Sequence, residues 1–189
     1  MTFAGSIQAS RNPARCTPAG FGLVIPIAHR LTETVQKATE TALANMGALG
    51  ARVFRDATLD GFVEVFRDTG LTVIAPVTHT DRKTGKLEFS DGFRDPAEIA
   101  ERLSQVERSV ILDLTTCYSV QLVEEIKKWE GSRIEPVAAT DTVLDLELQM
   151  MYYEAVVRLL AKAGAKASYR ELVGALWNSL PEVLKRVLA

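Results

Sequence analysis

Two short apolar runs constrain the fold of this chain more than any other feature. They are residues 71–77 and 109–115, and each has the length of a buried strand rather than that of a helix. Apolar residues at helical spacing separate and flank these runs, so strands and helices alternate along the chain. Such alternation predicts an α/β domain with a mostly parallel central sheet and helices on both faces.

The rest of the chain extends this pattern. Further strands are predicted at residues 21–28, 51–55 and 133–139, helices at 31–46, 59–66, 95–103, 119–129 and 146–163, and a small hairpin at 86–92. Capping boxes at 168–171 and 179–182 predict two more helix starts. Pro26 indicates a bulge or an edge-like position in the first strand. Residues 1–20 have no clear period and are expected to form an arm, and residues 21–189 a single domain.

The composition argues against several classes of partner. Of the 189 residues 47% are hydrophobic and 24% charged, and the net charge of −2 gives no electrostatic attraction to nucleic acid or to an anionic membrane. No apolar run approaches the ~20 residues of a membrane span, and the start does not resemble a secretion signal. Cys16 and Cys117 do not make a disulfide framework, and no metal-ligand spacing occurs. We therefore expect a cytoplasmic protein without a metal or cofactor.

A histidine and a cysteine stand in matching places after the two apolar runs. His79 and Cys117 each follow within two residues of a predicted strand end. If the strands are parallel neighbours, both side chains reach the carboxyl edge of one sheet, where open α/β sheets place their sites. A cysteine peptidase needs a thiolate, a base and oxyanion donors. The helix predicted from Ser119 favours a thiolate at Cys117, and the Cys117 N–H is a natural oxyanion donor.

Other interpretations of the same residues remain open. A cysteine is usually a small core residue, and a histidine is often structural or simply exposed. A nucleotide-binding domain is poorly supported, because Gly20 and Gly22 lie at the start of the first strand instead of after its end and no phosphate loop occurs. Basic residues at positions 82, 83 and 86 form either a solvated surface or a docking site for an acidic segment.

Six short motifs resemble one known family. They are residues 72–79, 85–92, 95–103, 110–119, 136–141 and 151–160. In this order they resemble the caspase-like (clan CD) cysteine peptidases, and most closely the CHAT domains of bacterial proteins. The resemblance covers roughly residues 21–175, and the separation of 38 positions between His79 and Cys117 is shorter than the roughly 50 of caspases.

The resemblance implies both a fold and an activity. The fold would be a caspase-like three-layer sandwich with a small hairpin after the His79 strand. The activity would be cysteine endopeptidase cleavage of a protein substrate, with Cys117 as nucleophile, His79 as base or imidazolium partner, and the N–H groups of Thr80 and Cys117 as oxyanion donors. Thr80 stands where the family usually has glycine. A catalytically inactive caspase-like interaction module is therefore the alternative.

The resemblance also suggests substrate-binding residues. Asp141 matches the acidic residue that reads a basic P1 side chain in metacaspase-like relatives, although it could instead cap the next helix. Arg30 matches the place where caspases have an arginine that reads a P1 aspartate. Asp141 and Arg30 therefore imply opposite P1 preferences, and we adopt the preference for a basic P1 residue. Asp113 could also reach the site or could satisfy backbone groups. The chain has no room for the sensing repeats of many CHAT proteins, so a regulatory or sensor protein is an expected partner.

Overall fold

The computed structural model describes residues 16–26, 28, 33–140, 145–164 and 168–179. A 3-10 turn at Pro18–Gly20 precedes the first strand. The strands are β1 (Phe21–Ile25), β2 (Arg52–Arg55), β3 (Val73–Pro76), β4 (Leu87–Phe89), β5 (Gly92–Arg94), β6 (Val110–Asp113) and β7 (Ile134–Val137). The helices are α1 (Glu33–Ala48), α2 (Leu59–Arg67), α3 (Pro96–Ser104), α4 (Val120–Lys127), α5 (Leu146–Ala163) and α6 (Tyr169–Ser179).

Five strands form a central sheet in the order β2-β1-β3-β6-β7, and every neighbouring pair is parallel. Strands β4 and β5 form a separate antiparallel hairpin that follows the β3 strand. Parallel strands place all their carboxyl ends at one edge. The predicted α/β class with a mostly parallel sheet and a small hairpin is therefore confirmed.

Side-chain alternation along the strands divides the core between two faces. In β3, Ile74 packs with helices α2, α3 and α4 and the hairpin, whereas Val73 and Ala75 pack with α1, α5 and α6. Successive residues of a strand point to opposite faces, so a strand buried on both sides is apolar throughout. Helices consequently cover both faces of the sheet, as the unbroken apolar runs predicted.

Local signals in the sequence account for several helix boundaries. The Thr58 hydroxyl accepts the Gly61 N–H at 3.0 Å and so caps α2. The Asp145 carboxylate caps α5 by accepting two N–H groups of its first turn. That helix ends at Gly164, whose φ of +63° is a conformation that glycine adopts readily. The capping box predicted at 168–171 begins α6, and that at 179–182 lies mostly outside the described residues.

Two features of the first 30 residues differ in detail from the expectation. Pro26 lies just after β1, which is flanked on both sides by other strands, so it marks the end of a central strand and not a bulge or edge. Cys16 is fully buried in the core on the face of the sheet that α1, α5 and α6 cover, so the described end of the predicted arm is packed against the domain. Among the described helices, none combines the length and apolarity needed to cross a bilayer.

Candidate functional site

The register of β3 and β6 relates the two predicted catalytic residues directly. These strands are parallel neighbours, and Ile74 faces Leu112, an offset of 38 positions (112 − 74 = 38). The same offset separates His79 from Cys117 (117 − 79 = 38). Both residues follow the carboxyl ends of their strands, so the backbone carries them out at the same edge of the sheet.

A hydrogen bond beyond the strand ends continues this register. The Thr116 hydroxyl donates to the carbonyl oxygen of Thr78 at 3.0 Å, and both side chains are buried. This pair also differs by 38 positions, and it immediately precedes His79 and Cys117. The two candidate catalytic residues therefore extend from neighbours that are bonded to each other.

The His79 side chain is solvent-exposed at this edge. Its backbone carbonyl accepts the Glu88 N–H at 2.9 Å, which ties the segment after β3 to the hairpin. Its ring meets the Phe93 ring edge to face, with centroids 6.2 Å apart and planes at 75°. Phe93 is itself 44% exposed, so an accessible aromatic surface adjoins the imidazole. Such a surface is suited to an apolar group of a bound peptide.

Thr80 pairs with Leu87 through an isolated antiparallel bridge. The bonds on either side are Asp81 N–H to Lys86 O at 2.9 Å and Glu88 N–H to the carbonyl preceding Thr80 at 2.9 Å. In such a non-hydrogen-bonded pair the N–H of the paired residue points away from the partner strand. Thr80 as a whole residue is only 2% exposed. Its N–H is thus directed away from the hairpin, and its side chain is withdrawn from solvent.

Cys117 is half-buried and lies in the tight connection between β6 and α4. Neither it nor Cys16 forms a disulfide. The next residue, Tyr118, has a φ of +44°, a left-handed conformation that is uncommon for a non-glycine residue. Helix α4 starts two residues later at Val120, so its positive dipole end lies near the thiol. Both features are typical of a strand-to-helix turn that presents a reactive side chain.

The polar loop after Thr80 has a defined shape. The Asp81 carboxylate accepts the N–H of Lys83 at 3.0 Å, and the N–H and hydroxyl of Thr84 at 2.8 and 2.7 Å. These bonds, those of Thr84 above all, lower the pKa of Asp81. Lys86 forms an ion pair with Asp95 at 3.1 Å, so one cation of the predicted basic cluster already has an acidic partner.

This loop packs against the start of α4. Gly85 is buried with a φ of +68°, and a Cβ there would collide with the Gln121 side chain. The Arg82 guanidinium lies over the Tyr118 ring at 5.9 Å from its centroid, within the range of cation–π attraction. The loop that follows His79 therefore contacts the residues that follow Cys117, and the two halves of the candidate site share an interface.

Asp113, one of the predicted substrate-binding residues, is fully buried. Its carboxylate accepts hydrogen bonds from the N–H and hydroxyl of Thr115 at 2.9 and 2.7 Å, and from the Tyr169 hydroxyl at 2.6 Å. The hydroxyls of Tyr152 and Tyr153 each lie 3.4 Å away. Burial raises the pKa of Asp113 despite these bonds. It thus satisfies backbone and hydroxyl groups, which was the alternative interpretation, and has no exposed surface for a substrate.

Thr140, in the segment after β7, forms three hydrogen bonds with the connection between β6 and α4 that carries Cys117. Its hydroxyl donates to Thr116 O at 2.5 Å, its N–H donates to the Ser119 hydroxyl at 3.0 Å, and its carbonyl accepts the Val120 N–H at 3.2 Å. All but Val120 are buried. The segment after β7 is therefore hydrogen-bonded to the connection after β6, as the segment after β3 is.

The predicted specificity residues Arg30 and Asp141 lie outside the described residues. The opposite P1 preferences that the two residues imply stay predictions.

Sequence reasoning did not identify the buried polar residues around Cys117. They are Thr78, Thr115, Thr116, Ser119, Thr140, Gln149, Tyr152, Tyr153 and Tyr169. One signal was present, because a threonine follows the end of each of β3, β6 and β7. The tyrosines gave no such signal, since they occupy the apolar faces of α5 and α6 and are indistinguishable there from core residues.

In the part of the chain that the structure describes, no three His, Cys, Asp or Glu side chains are grouped so that they could hold a metal ion. Comparison with known proteins gave no matching family model and no matching curated protein.

Proposed function

We propose that this chain is a cysteine endopeptidase of caspase-like type, with Cys117 as the nucleophile and His79 as its proton-transfer partner. The observation that carries the proposal is the hydrogen bond from Thr116 to Thr78, which joins the residues just before the pair at the register of the parallel strands. A geometric match of this kind supports a thiol–imidazole pair more strongly than either residue does alone.

The immediate surroundings of the two side chains also support the proposal. His79 is exposed and Cys117 half-buried, so a peptide can reach both. Helix α4 begins three residues after Cys117, so the positive end of its dipole lies near the thiol. A thiol sealed in the core, such as Cys16, has neither property, and burial raises the pKa of that thiol to about 11.

In the proposed reaction the Cys117 thiolate attacks the scissile carbonyl carbon and forms a C–S bond. The resulting tetrahedral oxyanion collapses, the C–N bond breaks, and the amine leaves with a proton from the His79 imidazolium. Water, deprotonated by the now neutral His79, then attacks the thioester and releases the acid and the thiolate. The N–H groups of Thr80 and Cys117 are the proposed oxyanion donors.

The position of Thr80 supports its role despite the missing glycine. Its side chain is buried, and its N–H points away from the hairpin strand with which it pairs. The N–H group is therefore not used in the pairing with β4, and the buried side chain does not project into solvent beside His79.

Peptidyl acyloxymethyl ketones test the proposal, because a peptidase thiolate displaces their carboxylate far faster than an ordinary thiol does. We expect Cys117 to be labelled at least 100-fold faster than N-acetylcysteine, and His79→Ala to slow labelling by about 10²-fold or more. Cys117→Ala should abolish labelling, whereas Cys16→Ala should leave it unchanged because Cys16 is buried.

The choice of probes also tests the substrate class. Parallel probes with arginine, aspartate or leucine at P1 report specificity, and we expect the arginine probe to react fastest. Labelling of Cys117 at the rate of N-acetylcysteine with all three probes would overturn the peptidase proposal and favour the interaction module.

A further inference from the structure

A buried polar cluster lies directly below the connection that carries Cys117, on the face of the sheet covered by α5 and α6. Its centre is Asp113, the last residue of β6, which has no exposed surface. Its shortest hydrogen bond comes from the Tyr169 hydroxyl at 2.6 Å, from the first residue of α6. The proposed reaction does not use this carboxylate, and burying a carboxylate is costly unless hydrogen bonds replace its lost hydration.

The cluster fixes the peptide that precedes the Cys117 connection. Asp113 accepts both the N–H and the hydroxyl of Thr115, at 2.9 and 2.7 Å. The Thr115 carbonyl accepts a hydrogen bond from the Gln149 amide, and one from the Tyr153 hydroxyl at 3.3 Å. Every polar backbone and side-chain group of Thr115, two positions before Cys117, is therefore hydrogen-bonded to residues on the face of the sheet that α5 and α6 cover.

Residues 114–119 are called here the Cys117 turn. Further hydrogen bonds restrict the backbone of this turn after Thr115. The Leu114 carbonyl accepts the Thr116 N–H at 2.7 Å and the Ser119 hydroxyl at 2.6 Å. Between these bonds Tyr118 adopts its left-handed conformation. A strained residue of this kind persists only where the surrounding contacts determine the backbone. The buried hydrogen bonds at Thr115 are part of those contacts.

We propose that Asp113 and Tyr169 are positioning residues for Cys117. The Tyr169 hydroxyl orients the Asp113 carboxylate, the carboxylate holds Thr115, and Thr115 fixes the turn that presents the thiol. This inference rests on the proposed function for its catalytic meaning, whereas the effect on the turn does not depend on it. Helix α6 thereby becomes part of the site, although it lies on the far side of the sheet from helix α4.

The test variant is Tyr169→Phe, which removes one hydroxyl and keeps the ring that packs against Phe21 with centroids 6.3 Å apart. The matched control is Tyr152→Phe, since the Tyr152 hydroxyl is buried in the same cluster but lies 3.4 Å from Asp113. The first readout is amide hydrogen exchange of the Cys117 turn, with α2 on the other face of the sheet as internal reference. The second is labelling of Cys117 by the peptidyl probe.

We expect Tyr169→Phe to raise exchange in the Cys117 turn roughly tenfold while α2 is unchanged, and Tyr152→Phe to have a much smaller effect. For labelling we expect a roughly tenfold loss in the maximal inactivation rate with little change in the concentration dependence, as for a misplaced nucleophile.

The two readouts separate the two proposals. Exchange of the turn that is equal in wild type and Tyr169→Phe would overturn the positioning inference, whatever the labelling shows. If the turn loosens but wild-type Cys117 reacts no faster than N-acetylcysteine, the peptidase proposal fails and the hold on the turn stands. If the turn loosens and the labelling of an active wild type is unchanged in Tyr169→Phe, the positioning role is overturned. Equal effects of both Tyr→Phe variants would also overturn it in favour of general destabilisation.

Discussion

His79 and Cys117 follow neighbouring strands, but the segments that carry them differ in burial and in hydrogen bonding. The His79 side chain is exposed, and its ring is supported by Phe93, which is itself 44% exposed. The Cys117 turn instead rests on a fully buried carboxylate and a set of buried hydroxyls. The turn that carries the thiol thus rests on buried polar groups, whereas the imidazole itself is exposed and contacts an exposed ring.

This difference indicates a division of labour within the site. A nucleophile gains from fixed geometry, because small displacements from the attacking position slow a reaction strongly. An exposed side chain such as that of His79 can change its rotamer as a peptide binds, because few contacts restrain it. We therefore expect substitutions in the buried cluster at the Cys117 turn to change stability, and substitutions of the exposed His79 and Phe93 side chains to change function without changing stability.

The largest effect is expected for removal of the buried carboxylate. Asp113→Ala leaves the Thr115 N–H, the Thr115 hydroxyl and the Tyr169 hydroxyl without their acceptor, so we expect the free energy of unfolding to fall by about 3 kcal/mol. His79→Ala, on the exposed side, should change it by less than about 0.5 kcal/mol. Urea denaturation measures both, and equal losses would contradict the comparison.

The pH dependence of stability sharpens the same contrast. Burial holds the pKa of Asp113 above its ordinary value of 3.8, so between these two values the folded protein binds more protons than the unfolded chain. The stabilising contribution of Asp113 to folding is therefore fully present at pH values below its ordinary pKa, and it is lost as pH rises through the raised pKa. We expect Asp113→Asn, which cannot titrate, to remove this fall in stability. Thermal melting across that pH range, with His79→Ala as a control that keeps the fall, tests it; an unchanged profile in Asp113→Asn would refute the assignment.

The smallest effect is expected on the hairpin. Phe93→Ala removes an exposed ring beside His79, so we expect the concentration of peptidyl probe needed for half-maximal labelling to rise roughly fivefold without a change in melting temperature. Trp129→Ala is the matched control, because Trp129 is 43% exposed but lies after the far end of α4. If both variants weaken labelling equally, or neither does, Phe93 does not contact the substrate.

The sheet could be predicted from the sequence because its strands are buried on both faces. Runs such as Val73–Pro76 and Val110–Asp113 then show little but apolar residues, and the helices between them show the helical spacing. Pro26 was misinterpreted because a proline just after a central strand and a proline within an edge strand leave the same trace in a sequence. The positions of His79 and Cys117 after their strands were visible for the same reason as the strands themselves.

The amino-acid sequence by itself determined the order of strands and helices, and with it that His79 and Cys117 each follow the end of a strand. The tertiary structure made those two strands neighbours. The tertiary structure decided the partners of those residues. The Asp113 side chain is buried under α5 and α6 and does not line a cleft, because the pleat of β6 directs it to the face of the sheet that these helices cover. Tyr169 follows it by 56 positions in the chain and contacts it only because α6 packs there. Contacts over such separations depend on how helices pack on a sheet, and local periodicity carries no information about that packing.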